Sequence, residues 1–117
     1  MITPISDLTT RTLQMALQGV TERRQAHQAN IANIETPGYL AQTVSFEDSL
    51  ARARAAGSPE SFSTTFNRAT TPTNMNGNNV NVDSELVGLT ETSLTQQLIV
   101  EALNAKYRLL RTSIGVS

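Results

Sequence analysis

The sequence contains no cysteine and no tryptophan, and only 4% of its 117 residues are aromatic. The absence of cysteine excludes disulfide bonds, thiol catalysis and zinc–thiolate sites. Hydrophobic residues make up 38% of the chain, which is low for a compact globule. The length corresponds to one small domain. We therefore expect a small domain with little aromatic core.

The chain also lacks an excess of either charge, since nine basic and ten acidic residues give a net charge of -1. Nucleic-acid-binding proteins need a basic excess to displace counterions from phosphates, so we predict no nucleic-acid partner. No apolar run is long enough to span a membrane. The N-terminus shows no basic segment followed by an apolar one, so we expect no cleaved secretory signal.

The sequence offers little material for catalysis. His27 is the only histidine and, with no cysteine in the chain, it has no companions for a metal-ligand set, which favours a packing or interface role. Glu47 and Asp48 are adjacent, so their side chains point apart on a helix. Asn76 and Gly77 form a turn signal rather than a phosphate-binding loop. We predict no enzymatic activity, no metal or other cofactor, and no small-molecule substrate.

Two long helices are predicted at the ends of the chain, over residues 1–35 and 81–117. In each, a row of residues recurs at alternating spacings of three and four, which is typical of a coiled-coil seam. Asn81 or Asp83 is predicted to cap the second helix. The predicted seam comprises Leu13, Leu17, Val20, Arg24, His27, Ile31 and Ile34 in the first helix, and Leu86, Leu89, Ser93, Gln96, Val100, Leu103, Tyr107, Leu110 and Ile114 in the second.

The middle of the chain, residues 36–80, is predicted to be mostly irregular. A short helix is expected near residues 46–56, started by the cap pair Ser45 and Asp48 and stopped by Gly57. Residues 58–79 are rich in Ser, Thr, Asn, Pro and Gly and predict a long loop. The fold class predicted from these patterns is all-α.

The C-terminal helix carries a second apolar row on the side opposite its seam. A helix that is apolar on two sides needs cover on both, and the N-terminal helix can supply only one. Full burial of one Leu is worth about 1.5–3 kcal/mol, so exposing several would forfeit much stabilisation. We therefore predict that other subunits, or a lipid-like surface, cover this row. Its members are Val87, Leu94, Leu98, Ala102, Ala105 and Leu109.

The most distinctive string of the chain is ANIANIETPGY, at residues 29–39. Pro37 lacks a backbone donor and disfavours the α conformation at Thr36, and Gly38 permits a sharp turn, so the string predicts a helix stop. The string also resembles the N-terminal signature of the bacterial flagellar axial proteins, the rod, hook and hook-associated subunits. The signature positions are Asn30, Ile31, Ala32, Asn33, Thr36, Pro37, Gly38 and Tyr39.

Three segments resemble the proximal rod proteins of the flagellar basal body, of the FlgB type, and the assignment to this type rests on the chain length and on the region around Phe46. The segments are residues 17–50, the string NGNNVN at residues 76–81, and residues 107–114. In that family the second string begins and ends with aspartate, so Asn76 and Asn81 replace acids here. Two alternatives stay open: the other small proximal rod subunit, and a soluble helical binding module such as a secretion chaperone.

The resemblance implies a structural role. The terminal helices would pair as an antiparallel coiled-coil hairpin, forming one axial core domain that packs with its neighbours into the inner tube of the periplasmic rod. The partners would be further copies, other rod proteins, the membrane-ring adapter protein, and the type III export apparatus, which needs no cleaved signal. Phe46 and Leu50 weakly resemble an export-gate motif, although the residues alone favour an anchor for the short helix.

Overall fold

A computed structural model describes residues 4–115 of the chain, and the side chains of residues 8–115. Residues 1–3 and 116–117 of the predicted terminal helices lie outside the described residues. The described part is mostly helical, with a small two-stranded sheet, and measures 63 × 29 × 14 Å. In chain order the elements are helix α1 (Pro4–Ala32), strand β1 (Gln42–Ser45), helix α2 (Glu47–Ala55), a 3-10 turn (Pro59–Ser61), strand β2 (Thr65–Arg68) and helix α3 (Val82–Ser113).

The two long helices lie against each other. Helix α1 begins at Pro4, whose fixed φ suits a first turn. Helix α3 begins after Asn81, whose side-chain oxygen accepts a hydrogen bond from the backbone N–H of Ser84 at 3.1 Å, so this predicted cap is confirmed. As residue numbers rise along α1, those of the contacted residues in α3 fall: Gln14 contacts Tyr107, Thr21 contacts Gln96, and His27 contacts Glu85.

The prediction of an all-α fold was wrong in the middle segment, where β1 and β2 pair antiparallel. The register runs from Gln42 opposite Arg68 to Ser45 opposite Thr65. Each strand has only four residues, and every residue of β2 is exposed, so neither leaves a hydrophobic pattern in the sequence. Only Val44 of β1 points inward and is buried.

Helix α2 was correctly predicted, but not its cap. Gly57 follows it with a φ of +80°, a conformation that glycine adopts freely, so the predicted stop is confirmed. The N-cap position belongs to Phe46, without a side-chain cap bond, rather than to Ser45. Ser45 cannot serve because it pairs with Thr65 in the sheet.

The core lies where the middle segment packs on α1. The Phe46 ring lies so close to α1 that a Cβ at Gly19 would come within 2.6 Å of it. Phe46 also meets Phe62 edge-on, at 6.3 Å between ring centroids. Helix α1 therefore has two covered sides, one against α3 and one against the middle segment. The buried hydrophobic cluster consists of Val20, Ala26, Val44, Phe46 and Leu50.

The α3 face that meets α1 differs from the predicted seam at alternate positions. Leu103 is buried and Leu89 and Leu110 are partly buried, as the seam requires. At the alternate positions, the covered residues are Glu85, Thr92 and Ile99, where the seam predicted the following residue in each case, Leu86, Ser93 and Val100. The predicted seam residues that stay exposed within the chain are Leu86, Val100, Tyr107 and Ile114, at 49%, 41%, 41% and 70%.

The shift has a physical cause in the partners on α1. Glu85 turns inward because His27 and Asn30 supply polar partners for its carboxylate. Ile99 turns inward because it packs against the cluster around Phe46. On the α1 side, Val20 is buried, and Leu13, Leu17 and Ile31 are partly buried.

Candidate functional site

Two of the segments that carry the family resemblance, ANIANIETPGY and NGNNVN, contact each other. After α1, the chain turns through Pro37 and Gly38, and the backbone N–H of Gly38 donates to the carbonyl of Asn76 at 2.8 Å. Gly38 and Gly77 both have positive φ, of 74° and 83°. A Cβ on Gly77 would lie 3.3 Å from the Cα of Gly38, so the two turns pack back to back.

Asn30 is fully buried and makes four hydrogen bonds. Its Nδ2 donates to the Gln42 carbonyl at 2.9 Å and to Glu85 Oε1 at 2.8 Å. Its Oδ1 accepts from the Gln42 N–H at 2.8 Å and from the Tyr39 hydroxyl at 3.0 Å. One amide therefore joins α1, the signature turn, β1 and α3. Because an unmade buried hydrogen bond is costly, this side chain fixes the relative positions of all four.

Asn78 is the second fully buried amide and stands just before α3. Its Nδ2 donates to the carbonyls of Asn33 and Thr36, at 2.8 and 2.9 Å, in the turn that ends α1. Its Oδ1 accepts from the backbone N–H of Val80 at 2.8 Å. The turn after α1 is thus held by a side chain from the far end of the middle segment.

Asn33 and Asn79 extend this arrangement. Asn33 Nδ2 donates to the Ala29 carbonyl within α1 at 2.8 Å, a local cap of the helix end. Asn79 Oδ1 accepts from the Ala41 N–H at 2.7 Å, and its Nδ2 donates to the carbonyls of Ala69 and Thr71 at 3.0 and 3.2 Å. We call Asn30, Asn33, Asn78 and Asn79 the asparagine junction.

Sequence reasoning missed the roles of Asn78 and Asn79. The string NGNNVN indicated a turn and a family resemblance, but no contact of Asn78 or Asn79. Their partners are backbone groups distant in sequence, and no spacing rule specifies such a contact.

His27 lies at the helix pair and joins the junction through Glu85. The Nδ1 atom of His27 is 2.8 Å from Glu85 Oε1, the same oxygen that accepts from Asn30. The imidazole rests on Gly88, where a Cβ would lie 2.5 Å from its Cε1. Within residues 8–115, no three His, Cys, Asp or Glu side chains cluster in a way that could hold a metal ion. The arrangement ties two helices together.

An ion pair fixes α2 against α1. Arg23 binds both carboxylate oxygens of Glu47, at 2.6 and 2.8 Å, and donates to the Val44 carbonyl at 2.8 Å. Its guanidinium also lies 4.9 Å from the Phe46 ring centroid. The hydrogen bond from Arg23 is the main reason that the pKa of Glu47 falls from 4.5 to about 2.

The two residues of the candidate export motif lie in this region. Phe46 and Leu50 are 4% and 7% exposed and belong to the core cluster. In the folded chain they anchor the short helix. Recognition by an export gate stays a prediction, and it would require the chain to be unfolded there.

The second apolar row on α3 is largely open to solvent. Val87, Leu94, Leu98 and Leu109 are 58%, 56%, 66% and 63% exposed, and we call these four residues the outer face. Ala102 and Ala105, from the same predicted row, are partly buried. A patch of exposed large apolar side chains on one helix is typical of an interaction surface.

Comparisons with known proteins agree with this picture. No family model matches the chain. The chain is 33% identical to the flagellar basal body rod protein FlgB of Bacillus subtilis (strain 168), over 117 aligned positions that cover 89% of this chain and 91% of that protein. Among the described residues, no helix is both long and apolar enough to cross a membrane. The similarity extends over nearly the whole of both chains, so this chain belongs to the FlgB family of flagellar basal body rod proteins.

Proposed function

We propose that this chain is a non-enzymatic structural subunit of the proximal rod of the bacterial flagellum, and that it assembles through the outer face of α3. The observation that carries this proposal is that the four Val and Leu side chains of the outer face are exposed on one side of α3, the longest helix of this FlgB-family chain. Leaving them in water forfeits about 1.5–3 kcal/mol for each Leu, which packing against a neighbouring subunit would recover.

The subunit core in this proposal is an antiparallel coiled-coil hairpin of α1 and α3, with residues 1–35 and 81–117 as one axial core domain. The falling order of contacts between the two helices supports this topology. The predicted seam residues Leu13, Leu17 and Val20 would face α3, together with Leu89, Leu103 and Leu110. Leu86, Val100, Tyr107 and Ile114 are exposed on a different side of α3 from the outer face and would make further contacts between subunits there.

The further partners follow from the family. The subunit would leave the cytoplasm through the type III export apparatus and take its place in the periplasmic rod among other rod proteins. There the rod would connect the membrane ring, through its adapter protein, to the distal rod and transmit torque. An elongated hairpin whose helix ends are fixed by the asparagine junction suits a subunit that transmits torque. Similarity to a FlgB protein favours this role over the other small rod subunit and over a chaperone.

The test introduces charge on the outer face in a strain that lacks the native gene. Leu94→Glu with Leu98→Glu should leave the subunit folded, because both positions are exposed in the single chain. It should abolish rod assembly and motility, because burying two unpaired carboxylates is expensive. Export should continue, so the variant should accumulate outside the cytoplasm.

The matched control is Thr70→Glu with Thr73→Glu, which adds the same charge at exposed polar positions outside α3. Helix content of both purified variants, measured by circular dichroism, should equal that of the native chain. Motility of the control together with loss of motility in the outer-face variant supports the proposal. Normal rods built from the outer-face variant would refute it.

A further inference from the structure

A groove runs between α1, α2 and α3 beside the Phe46 core. Its volume is about 420 Å³. Its floor is apolar, formed by Ala16, Val20, Phe46, Leu50 and Ile99, and exposed Ala51 stands on its α2 wall. The α2 side follows one helix face over two turns, which is about 10 Å at 1.5 Å per residue. A groove of this length accommodates two large side chains placed one helical turn apart.

The rim of the groove is basic. Arg23 lines it but is already bonded to Glu47. Arg54 lines it as well and is exposed, and its guanidinium has no hydrogen-bond or ion-pair partner among residues 8–115. The two arginines and one glutamate leave the rim with a net positive charge.

The outer face has the complementary character. Leu94 and Leu98 are one helical turn apart and project from the same side of α3. Glu91 stands one turn before them and Glu101 one turn after them, and both acids are exposed. Their carboxylates have no bonded partner within the described side chains. The outer face is therefore an apolar ridge with an acid at each end.

We propose that the outer face of one copy seats in the groove of a second copy, with Leu94 and Leu98 on the apolar floor and Glu101 against Arg54. This rests on the proposed function and adds the identity of the surface that receives the outer face. The contact uses two different surfaces of the same chain, so each copy can both donate and receive. Such head-to-tail contacts generate rings or helical assemblies rather than closed dimers.

Charge disfavours the alternative in which two outer faces meet. A two-fold contact centred between Leu94 and Leu98 would place Glu91 of each copy opposite Glu101 of the other. Like charges that face each other across an interface are strongly unfavourable when they are desolvated. The groove instead offers Arg54, which has no partner among the described side chains, at the same apolar surface.

The absence of cysteine from the chain permits a direct test. Ala51→Cys and Leu98→Cys are placed in two separately tagged copies, which are expressed together in the strain that lacks the native gene. A disulfide requires Cβ atoms about 3.5–4.5 Å apart, so a bond between the two copies reports the proposed contact. Copies with Asn104→Cys in place of Leu98→Cys are the control, since position 104 is exposed on α3 outside the outer face.

Oxidation of purified basal bodies should link the Ala51→Cys copy to the Leu98→Cys copy and leave the control pair unlinked. Rods that form without this link, or with only Leu98→Cys copies linked to each other, would overturn the groove contact. The second result would show that outer faces meet.

A charge reversal provides an independent readout. Arg54→Glu should lose rod assembly, and Arg54→Glu with Glu101→Arg in the same chain should restore it. Normal rods from Arg54→Glu would overturn the inference. If those rods form while Leu94→Glu with Leu98→Glu still blocks assembly, the proposed function stands and only the receiving surface is wrong.

Discussion

The sharpest consequence of the asparagine junction concerns Asn30→Asp, a change that preserves shape and alters only the hydrogen-bonding groups. The partners of Asn30 fix the orientation of its amide. The Gln42 N–H can only donate to Oδ1, while the Gln42 carbonyl and the Glu85 carboxylate can only accept from Nδ2. Aspartate replaces Nδ2 by an oxygen, which then faces two acceptors and no donor.

The expected cost follows from those two contacts. Losing the hydrogen bond to the charged Glu85 side chain costs about 1.5–3 kcal/mol, and leaving the partly buried Gln42 carbonyl without this donor costs about 1–3 kcal/mol. The sum is about 2.5–6 kcal/mol, which is a large part of the roughly 5–15 kcal/mol that stabilises a typical domain. With a urea dependence of about 1–3 kcal/mol per molar, the unfolding midpoint should fall by roughly 2 M.

The penalty should depend on pH. Burial and the facing Glu85 carboxylate would raise the pKa of the introduced carboxyl at position 30 above its unfolded value of about 3.9. A raised folded-state pKa means that the folded form holds its proton more tightly than the unfolded form. The variant is then least impaired below about pH 4, and it loses stability relative to the native chain as the pH rises from there.

The assay is urea unfolding followed by circular dichroism at a series of pH values. Asn104→Asp is the control, since Asn104 is exposed and a carboxylate there should change little. Glu85→Gln added to Asn30→Asp should recover part of the loss, because its amide can donate to the new carboxylate. If the free energy of unfolding of Asn30→Asp lies within about 0.5 kcal/mol of the native value, which is the usual scatter of such comparisons, the hydrogen bonds of Asn30 do not stabilise the fold as expected here.

Substitutions at three further positions test other parts of the structure. Leu103→Pro should abolish motility, since an interior proline costs about 3 kcal/mol or more, whereas the nearly volume-conserving Leu103→Met should swim; motile Leu103→Pro cells would contradict a continuous α3. Helix propensity alone predicts that Gly19→Ala stabilises the fold by about 1 kcal/mol. The new Cβ would clash with the Phe46 ring, however, and this overpacking should destabilise the fold by about 1–3 kcal/mol. A melting temperature above that of the native chain would contradict the packing. The pKa of Glu47 is lowered, so its pairing with Arg23 stabilises the fold above about pH 4.5, and this contribution is lost as the pH falls through about 2. The Glu47 side chain is 60% exposed, so Glu47→Gln should cost at most about 1 kcal/mol at pH 7 and almost nothing near pH 2. A cost that does not change with pH would contradict the pairing.

The helices were predictable because their signals are local. Apolar residues at helical spacing define α1 and α3, and Gly57 marks the end of α2, whereas α1 ends at Ala32, before the predicted stop at Pro37 and Gly38. The strands were not predictable because their pairing depends on residues that are distant in sequence. Each has four residues, and β1 finds its partner only after α2 has intervened, so the pairing depends on tertiary contacts.

Within the candidate site, sequence reasoning found the strings but not their chemistry. It placed the signature at the end of a helix and expected a second apolar row opposite the seam, including Leu94 and Leu98. It could not reveal that Asn78 would hold the turn after α1, or that the polar residues Glu85 and Thr92 would face inward. A hydrophobic pattern selects apolar residues for a seam, whereas here hydrogen bonds turn a glutamate toward the helix pair.

The central claim is that this chain is a rod subunit whose α3 outer face is covered by a neighbouring subunit. Electron cryo-microscopy of basal bodies purified from the organism's own flagella tests it most directly. The account predicts density for this chain in the proximal rod, with Val87, Leu94, Leu98 and Leu109 packed against another subunit. A rod without this chain, or one in which those four side chains face open solvent, would contradict it.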